Sequence, residues 1–226
     1  MPKIEPFEKD SDSYDAWFDR HRDIFDAELQ VVRLLMPPFE KGVEIGVGTG
    51  RFAVPVGIEE GVEPSKKMAE KAEKRGVRVH AGTAENLPLP DEKFDLALMV
   101  TTVCFLDDIL QSFREAHRVL KKGGYLMVGF INKDSELGKK YQRKRRKSRF
   151  YKEAVFVPAE TVLEKLQNAG FKTTASGQTL IPGEPPSVIR EGFGEGSFVV
   201  LKSVKTGSPQ EADKNHECEK ERIYEP

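Results

Sequence analysis

Three closely spaced glycines constrain this 226-residue chain more than any other feature of its sequence. Gly46, Gly48 and Gly50 follow the apolar stretch that carries Val43 and Ile45, and a helix-like segment opens after Arg51. A strand that turns sharply into a helix needs backbone with positive φ, which glycine adopts at the least steric cost. Without side chains, the same glycines let a ligand approach the main chain, and the N–H groups at the helix start would face it. Such a turn is suited to a nucleoside-bearing ligand at the carboxyl end of the first strand of an α/β sheet.

The spacing narrows the choice of ligand. The dinucleotide fingerprint is G-x-G-x-x-G, whereas here the third glycine comes one residue early, giving Glu44-x-Gly46-x-Gly48-x-Gly50. Three further blocks follow in order. Gly61-Val62-Glu63-Pro64-Ser65 reads as the tip of a second strand ending in an acid, placed to accept from both ribose hydroxyls. A strand over 77–80 leads into Gly82-Thr83-Ala84-Glu85-Asn86-Leu87-Pro88 and then Phe94-Asp95-Leu96-Ala97-Leu98-Met99-Val100. Finally His117-Arg118-Val119-Leu120-Lys121-Lys122-Gly123-Gly124 precedes an apolar strand over 125–131.

Together these blocks resemble the class I S-adenosylmethionine-dependent methyltransferases, in particular the small-molecule (type 11) group that includes quinone-biosynthesis enzymes, over residues 12–203. The resemblance implies S-adenosyl-L-methionine as cofactor and a small-molecule acceptor. It also implies a cofactor site built from Tyr14, Glu44, Gly46, Gly48, Gly50, Glu63, Pro64, Ser65, Met68, Thr83, Ala84, Glu85, Val100, Thr101 and Phe105. Glu44 is read as an acceptor for the cofactor's ammonium or as a partner of the glycine-turn backbone, and a carboxylate beside a cation is electrostatically favoured. Met68 pads the ribose and adenine face or packs its helix, and Leu87 is a similar case. One position departs from the pattern: Thr83 stands where the family carries an aspartate that accepts from adenine. Threonine accepts without charge assistance, and Glu85 is a candidate substitute.

Alternating strand and helix signals from residue 43 to about 170 predict a doubly wound, Rossmann-like α/β sheet, mainly parallel. Helices are expected over 15–35, 65–75, 108–120, 135–147 and 159–169, with Ser65 as an N-cap and Gly76 and Gly170 as C′ residues. Two antiparallel strands, 171–180 and 196–203, end the domain, giving seven strands with the last reversed, as the family has. One domain is expected over 1–204, with an N-terminal helical cap, a lid around 133–152 and a flexible polar tail over 205–226.

Lysine and arginine (36) nearly balance aspartate and glutamate (37), so net charge gives no global attraction to nucleic acid. The basic run over 139–152 reads as a solvated lid face, with phosphate gripping as the alternative. The Asp/Asn-Pro-Pro-aromatic motif of exocyclic base-amine methylation is replaced by Val100-Thr101-Thr102-Val103-Cys104-Phe105. With two cysteines, no signal-like start and no span-length apolar run, a cytoplasmic monomer or homodimer is the expectation. No His/Cys/Asp cluster has metal-ligand spacing, and no residue is singled out as a catalytic base, since displacement at a sulfonium needs alignment and exclusion of water above all. His117 reads as structural, His80 as locally hydrogen-bonded, and His21 as facing either the pocket or the surface. Trp17 and Phe18 either close over the sulfonium or pack their helix. The competing readings are an RNA or protein methyltransferase and a non-catalytic S-adenosylmethionine-binding module.

Overall fold

The computed structural model describes residues 4–207. Two helices, α1 (Glu5–Arg20) and α2 (Arg22–Leu35), precede a strand–helix alternation: β1 (Gly42–Ile45), α3 (Ala53–Val56), β2 (Glu60–Glu63), α4 (Lys66–Lys74), β3 (Arg78–Ala81), β4 (Phe94–Val100), α5 (Ile109–Val119), β5 (Leu120–Ile131), α6 (Glu136–Lys144) and α7 (Ala159–Asn168). Three more strands finish the sheet: β6 (Phe171–Thr179), β7 (Arg190–Glu191) and β8 (Phe198–Lys205). Short 3₁₀ turns cover Val103–Phe105 and Arg145–Lys147.

The sheet order is β3-β2-β1-β4-β5-β8-β6-β7. Pairs from β3 to β5 are parallel, and β8 lies antiparallel between β5 and β6. This is the predicted doubly wound Rossmann-like sheet with a reversed strand. It has eight strands rather than seven because the two residues of β7 pair with Gln178 and Gly177 at the edge. Chain order reverses between β1 and β4, and an open α/β sheet binds ligands in the crevice outside the strand ends at such a point.

Strand alternation sorts the core. In β4, Ala97 and Met99 pack with Phe113, Val119 and Leu166 of α5 and α7, while Leu96, Leu98 and Val100 pack with Val31, Val32 and Ala72 of α2 and α4. Both faces of the central strands are therefore covered, which is why they read as continuous apolar runs. Ser65 and Asp108 cap α4 and α5 by accepting from Met68 and Gln111 N–H groups. Gly76 and Gly170 take positive φ at the ends of α4 and α7, as expected.

Several boundaries differ from the sequence reading. The predicted helix over 15–35 is two helices broken at His21, and the first begins at Glu5 and kinks at Asp10. Sparse apolar residues among many acids hid this start. The glycine turn leads into a single-turn helix, α3, too short to present a strong N-terminal dipole. The last strand runs on to Lys205, and Gly207 O accepts from His117 Nε2 at 2.6 Å, so residues 205–207 belong to the domain. The rest of the expected tail, 208–226, lies outside the described residues. No described helix is long and apolar enough to cross a membrane.

Candidate functional site

At the β1/β4 switch point lies a cleft of about 710 Å³, counting its open mouth. It is lined by Gly46, Gly48, Glu63, Pro64, Met68, Thr83, Ala84, Glu85, Val100, Thr101, Phe105 and Tyr14 among others. Of the residues predicted for one site, only Glu44, Gly50 and Ser65 stand off its wall. Gly50 is fitted for packing: a Cβ there would meet Ala72 and Val77 at 3.4 Å. Ser65 is fully buried and caps α4. Gly46 is more tightly constrained, since a Cβ would lie 2.6 Å from Thr102. Gly48, at φ +55°, lines the cleft, and a built Cβ would meet only two other cleft residues, Met68 Cε at 3.6 Å and Tyr14 Cε1 at 4.0 Å, in ordinary contact.

Two acids sit beneath this turn. Glu63 accepts from Gly48 N–H through Oε2 and from Ser65 N–H through Oε1, both at 2.9 Å. Burial outweighs these bonds and pushes its carboxyl up to about 7, with Glu8 adding in the same direction. Glu44 is 2% exposed, and its Oε2 has no hydrogen-bond partner. Burial raises its carboxyl well above the ordinary range, against a bond from Ala53 N–H and with the charge of Glu63 adding. Thr101, at φ +53°, is a strained non-glycine residue at the end of β4, and such strain concentrates at functional sites.

Helix α1 closes the cleft and is tied to the glycine turn by charge. Asp15 accepts from Thr49 Oγ1 (2.8 Å), Arg51 Nε (2.9 Å) and Arg75 Nη2 (2.7 Å), and Arg75 also donates to Thr49 O. Burial opposes ionisation of Asp15, but the bonds from Arg51, Arg75 and Thr49 win and hold its carboxyl well below the usual range. The pair is partly buried and multiply bonded, unlike an exposed bridge. Asp15→Ala is expected to cost about 2 kcal/mol and lower the melting temperature by about 4–8 °C. The native carboxyl titrates below its unfolded value, so this contribution is present above about pH 4 and is lost as pH falls further. Thermal melts of both proteins at pH 7 and pH 3 check this: the gap should narrow at the lower pH.

Behind Tyr14 and Thr101 lies a second, more enclosed chamber of about 670 Å³. These two residues line both cavities, and Trp17, Phe52, Tyr141, Phe150 and Tyr151 are among the other residues of the second. Tyr141 and Tyr151 stack at 4.9 Å, and Phe105 stacks on Tyr151 at 6.0 Å. One carboxyl, Glu28 of α2, lines it. The sequence reading missed Glu28, although an acid on the stripe Phe25, Glu28, Leu29, Val32 was visible as a polar residue on an apolar helix face. It also missed Ile4 and Phe7, which line the cleft.

Other expectations resolve locally. His80 bonds to Glu60 Oε2 at 2.9 Å, and His21 stacks on Trp17 at 4.7 Å. Phe18 packs between Tyr14, Phe25 and Phe52. Leu87 is buried in the core rather than in the cleft wall, while Met68 does line it. Glu85 Oε1 accepts from Asp107 N–H at 2.9 Å while its residue lines the cleft near Thr83.

Comparison with known proteins agrees with this geometry. Residues 43–128 match the methyltransferase domain family. A crystal structure of a SAM-dependent methyltransferase, possible histamine N-methyltransferase, from Thermotoga maritima is 50% identical, covering 90% of this chain and 100% of that one with a TM-score of 0.85. The chain belongs to the SAM-dependent methyltransferases. An uncharacterized protein of Methanocaldococcus jannaschii is 43% identical over 88% of this methyltransferase and 98% of its own length. Rice 2-methyl-6-phytyl-1,4-hydroquinone methyltransferase 2 is 30% identical over 58% of this chain and 38% of its own. The cofactor of the family is S-adenosylmethionine, and the residues present fit it. The orphaned Glu44 Oε2, buried beneath the glycine turn, suits an ammonium, and Gly48 brings bare main chain to the cleft wall where a ligand would lie.

Proposed function

We propose that this methyltransferase moves the methyl group of S-adenosylmethionine to a small-molecule acceptor seated in the aromatic chamber. The observation that carries this reading is the chamber itself. It is more enclosed than the cleft, lined chiefly by aromatic and apolar side chains, and shares Tyr14 and Thr101 with the cleft wall. Its aromatic lining suits a metabolite, and it would admit a macromolecule only through an extruded side chain or base. Relatives whose names give an acceptor name small molecules, histamine in the Thermotoga protein's name as a possible acceptor and a hydroquinone in the rice enzyme's.

In this reading Glu44 receives the cofactor's ammonium, Glu63 the ribose hydroxyls, and Thr83, Ala84 and Glu85 the adenine edge. Pro64, Met68, Val100 and Phe105 give the apolar walls, and Gly46, Gly50 and Ser65 hold the shape of the turn. Bound there, S-adenosylmethionine supplies an activated methyl group, and the chain's task is to align the acceptor and keep water out.

A pool experiment tests the assignment. Protein with methyl-labelled S-adenosylmethionine is incubated separately with cell metabolites, RNA and protein from the same lysate. Label is expected in the metabolite fraction; label confined to RNA or protein would replace this reading with a macromolecular acceptor.

The segment over 133–152 acts with α1 as the lid. Arg149 reaches Asp10 and Ser13 of α1, and Phe150 stacks on Phe7 at 5.8 Å. These contacts bridge the cavities, so opening them admits ligands. Amide exchange in 5–17 and 135–151 should slow several-fold when S-adenosylhomocysteine is added; equal exchange with and without it would argue for a static wall.

A further inference from the structure

The aromatic chamber contains a feature that a general apolar pocket does not need. Glu28 is 4% exposed, lines the chamber and has no hydrogen-bond or ion-pair partner among the described residues. No lysine, arginine or histidine lines this space with it. An unpaired carboxyl in such surroundings costs stability, and a leucine or methionine on the same helix face would not. Its nearest titratable companions are phenols: Tyr141 of α6 and Tyr151 of the following loop, both raised first by burial and partly by the Glu28 charge. Tyr14 of α1 faces the same space, its phenol raised by burial and then by Glu63. These phenols stay neutral at ordinary pH, so Glu28 is the group that sets the chamber's charge.

A carboxylate enclosed by indole and phenol rings is complementary to one kind of ligand, a cation on an apolar body. The carboxylate neutralises the charge, and aromatic faces add cation–π attraction that strengthens where water is excluded. We propose that the acceptor is an amine, bound through its nitrogen to Glu28 with its apolar part against Trp17, Tyr141 and Tyr151. This deepens the small-molecule reading and rests on it. The amine arrives protonated, one proton passes to the Glu28 carboxylate, and the neutral nitrogen keeps a lone pair facing the Tyr14–Thr101 wall. Burial pushes the Glu28 carboxyl up to about 8, which places it close enough to an amine for that exchange.

Calorimetry with the full chain tests this, using matched pairs of probes with and without S-adenosylhomocysteine: 2-phenylethylamine and 2-phenylethanol, tryptamine and tryptophol, cyclohexylmethylamine and cyclohexylmethanol. At least one amine should bind tenfold or more tighter than its alcohol, releasing about one proton at pH 6.5 as Glu28 ionises. Its affinity should rise about tenfold per pH unit from pH 6 to 8. Glu28→Gln should erase the preference and the proton release while leaving S-adenosylhomocysteine affinity unchanged. Glu28→Leu should melt higher than the parent and also lose the preference, so failure to fold does not explain the loss. If no amine exceeds its alcohol by more than twofold, or Glu28→Gln keeps the preference, the assignment is wrong. The two readings separate cleanly. S-adenosylhomocysteine binding without amine preference overturns this inference alone, and amine preference without S-adenosylhomocysteine binding overturns the methyltransferase reading alone.

Discussion

Gly48→Val is expected to reduce S-adenosylmethionine affinity at least 100-fold. At φ +55° a β-branched residue is strained, and the new Cβ would sit at the cleft wall, 3.6 Å from Met68 Cε and 4.0 Å from Tyr14 Cε1. It would fill the space where the cofactor meets the main chain. The left-handed conformation also costs about 1–2 kcal/mol, so the melting temperature should fall by several degrees. Gly57→Ala separates these effects: its φ is +78°, and no atom lies within 4 Å of a built Cβ. That variant should lose stability and keep cofactor affinity. Calorimetry showing Gly48→Val within threefold of the parent would place the cofactor elsewhere.

Glu63→Ala should be nearly as severe, weakening cofactor binding about 100-fold, against about 3–10-fold for Thr83→Ala. The carboxylate offers charge-assisted bonds to two hydroxyls, each worth roughly 1.5–3 kcal/mol at most, whereas Thr83 offers one neutral acceptor. The structure adds a second loss. Both Glu63 oxygens clasp the turn, so truncation also strands the N–H groups of Gly48 and Ser65. Because burial raises this carboxyl to about 7, cofactor affinity should climb as pH rises through neutrality and level off above it. The stability linkage has the opposite sign to that of Asp15. The native carboxyl titrates above its unfolded value near 4.3, so its contribution is full below that pH and is lost as pH rises through about 7. Equal losses for the Glu63 and Thr83 variants would contradict this division of labour.

Much of the switch-point cleft was legible because it is built from four contiguous blocks, each at the carboxyl end of a strand. Positive φ forces glycine at Gly46, Gly48 and Gly50 whatever their contacts, so the pattern marked the turn without saying which glycine faces the ligand. Only packing distinguishes Gly48 from its neighbours. The buried strands and capped helices were readable for the same local reasons. The aromatic chamber was not, since its wall gathers residues from α1, α2, α6 and the loop after it, far apart in sequence. Helix α1 was half hidden because its run of acids, Asp10, Asp12, Asp15 and Asp19, masks the spacing of Phe7, Tyr14 and Phe18. Those acids make sense only once Arg51, Arg75, Lys71 and Arg149 are placed opposite them.

The most direct test of the whole account is a crystal structure of the full chain with S-adenosylhomocysteine. The account predicts the amino group on Glu44 Oε2, both ribose hydroxyls on Glu63, the adenine beside Thr83 and Glu85, and the sulfur facing the Tyr14–Thr101 wall toward Glu28. A nucleoside bound away from the glycine turn, or a sulfur pointing away from the aromatic chamber, would contradict it.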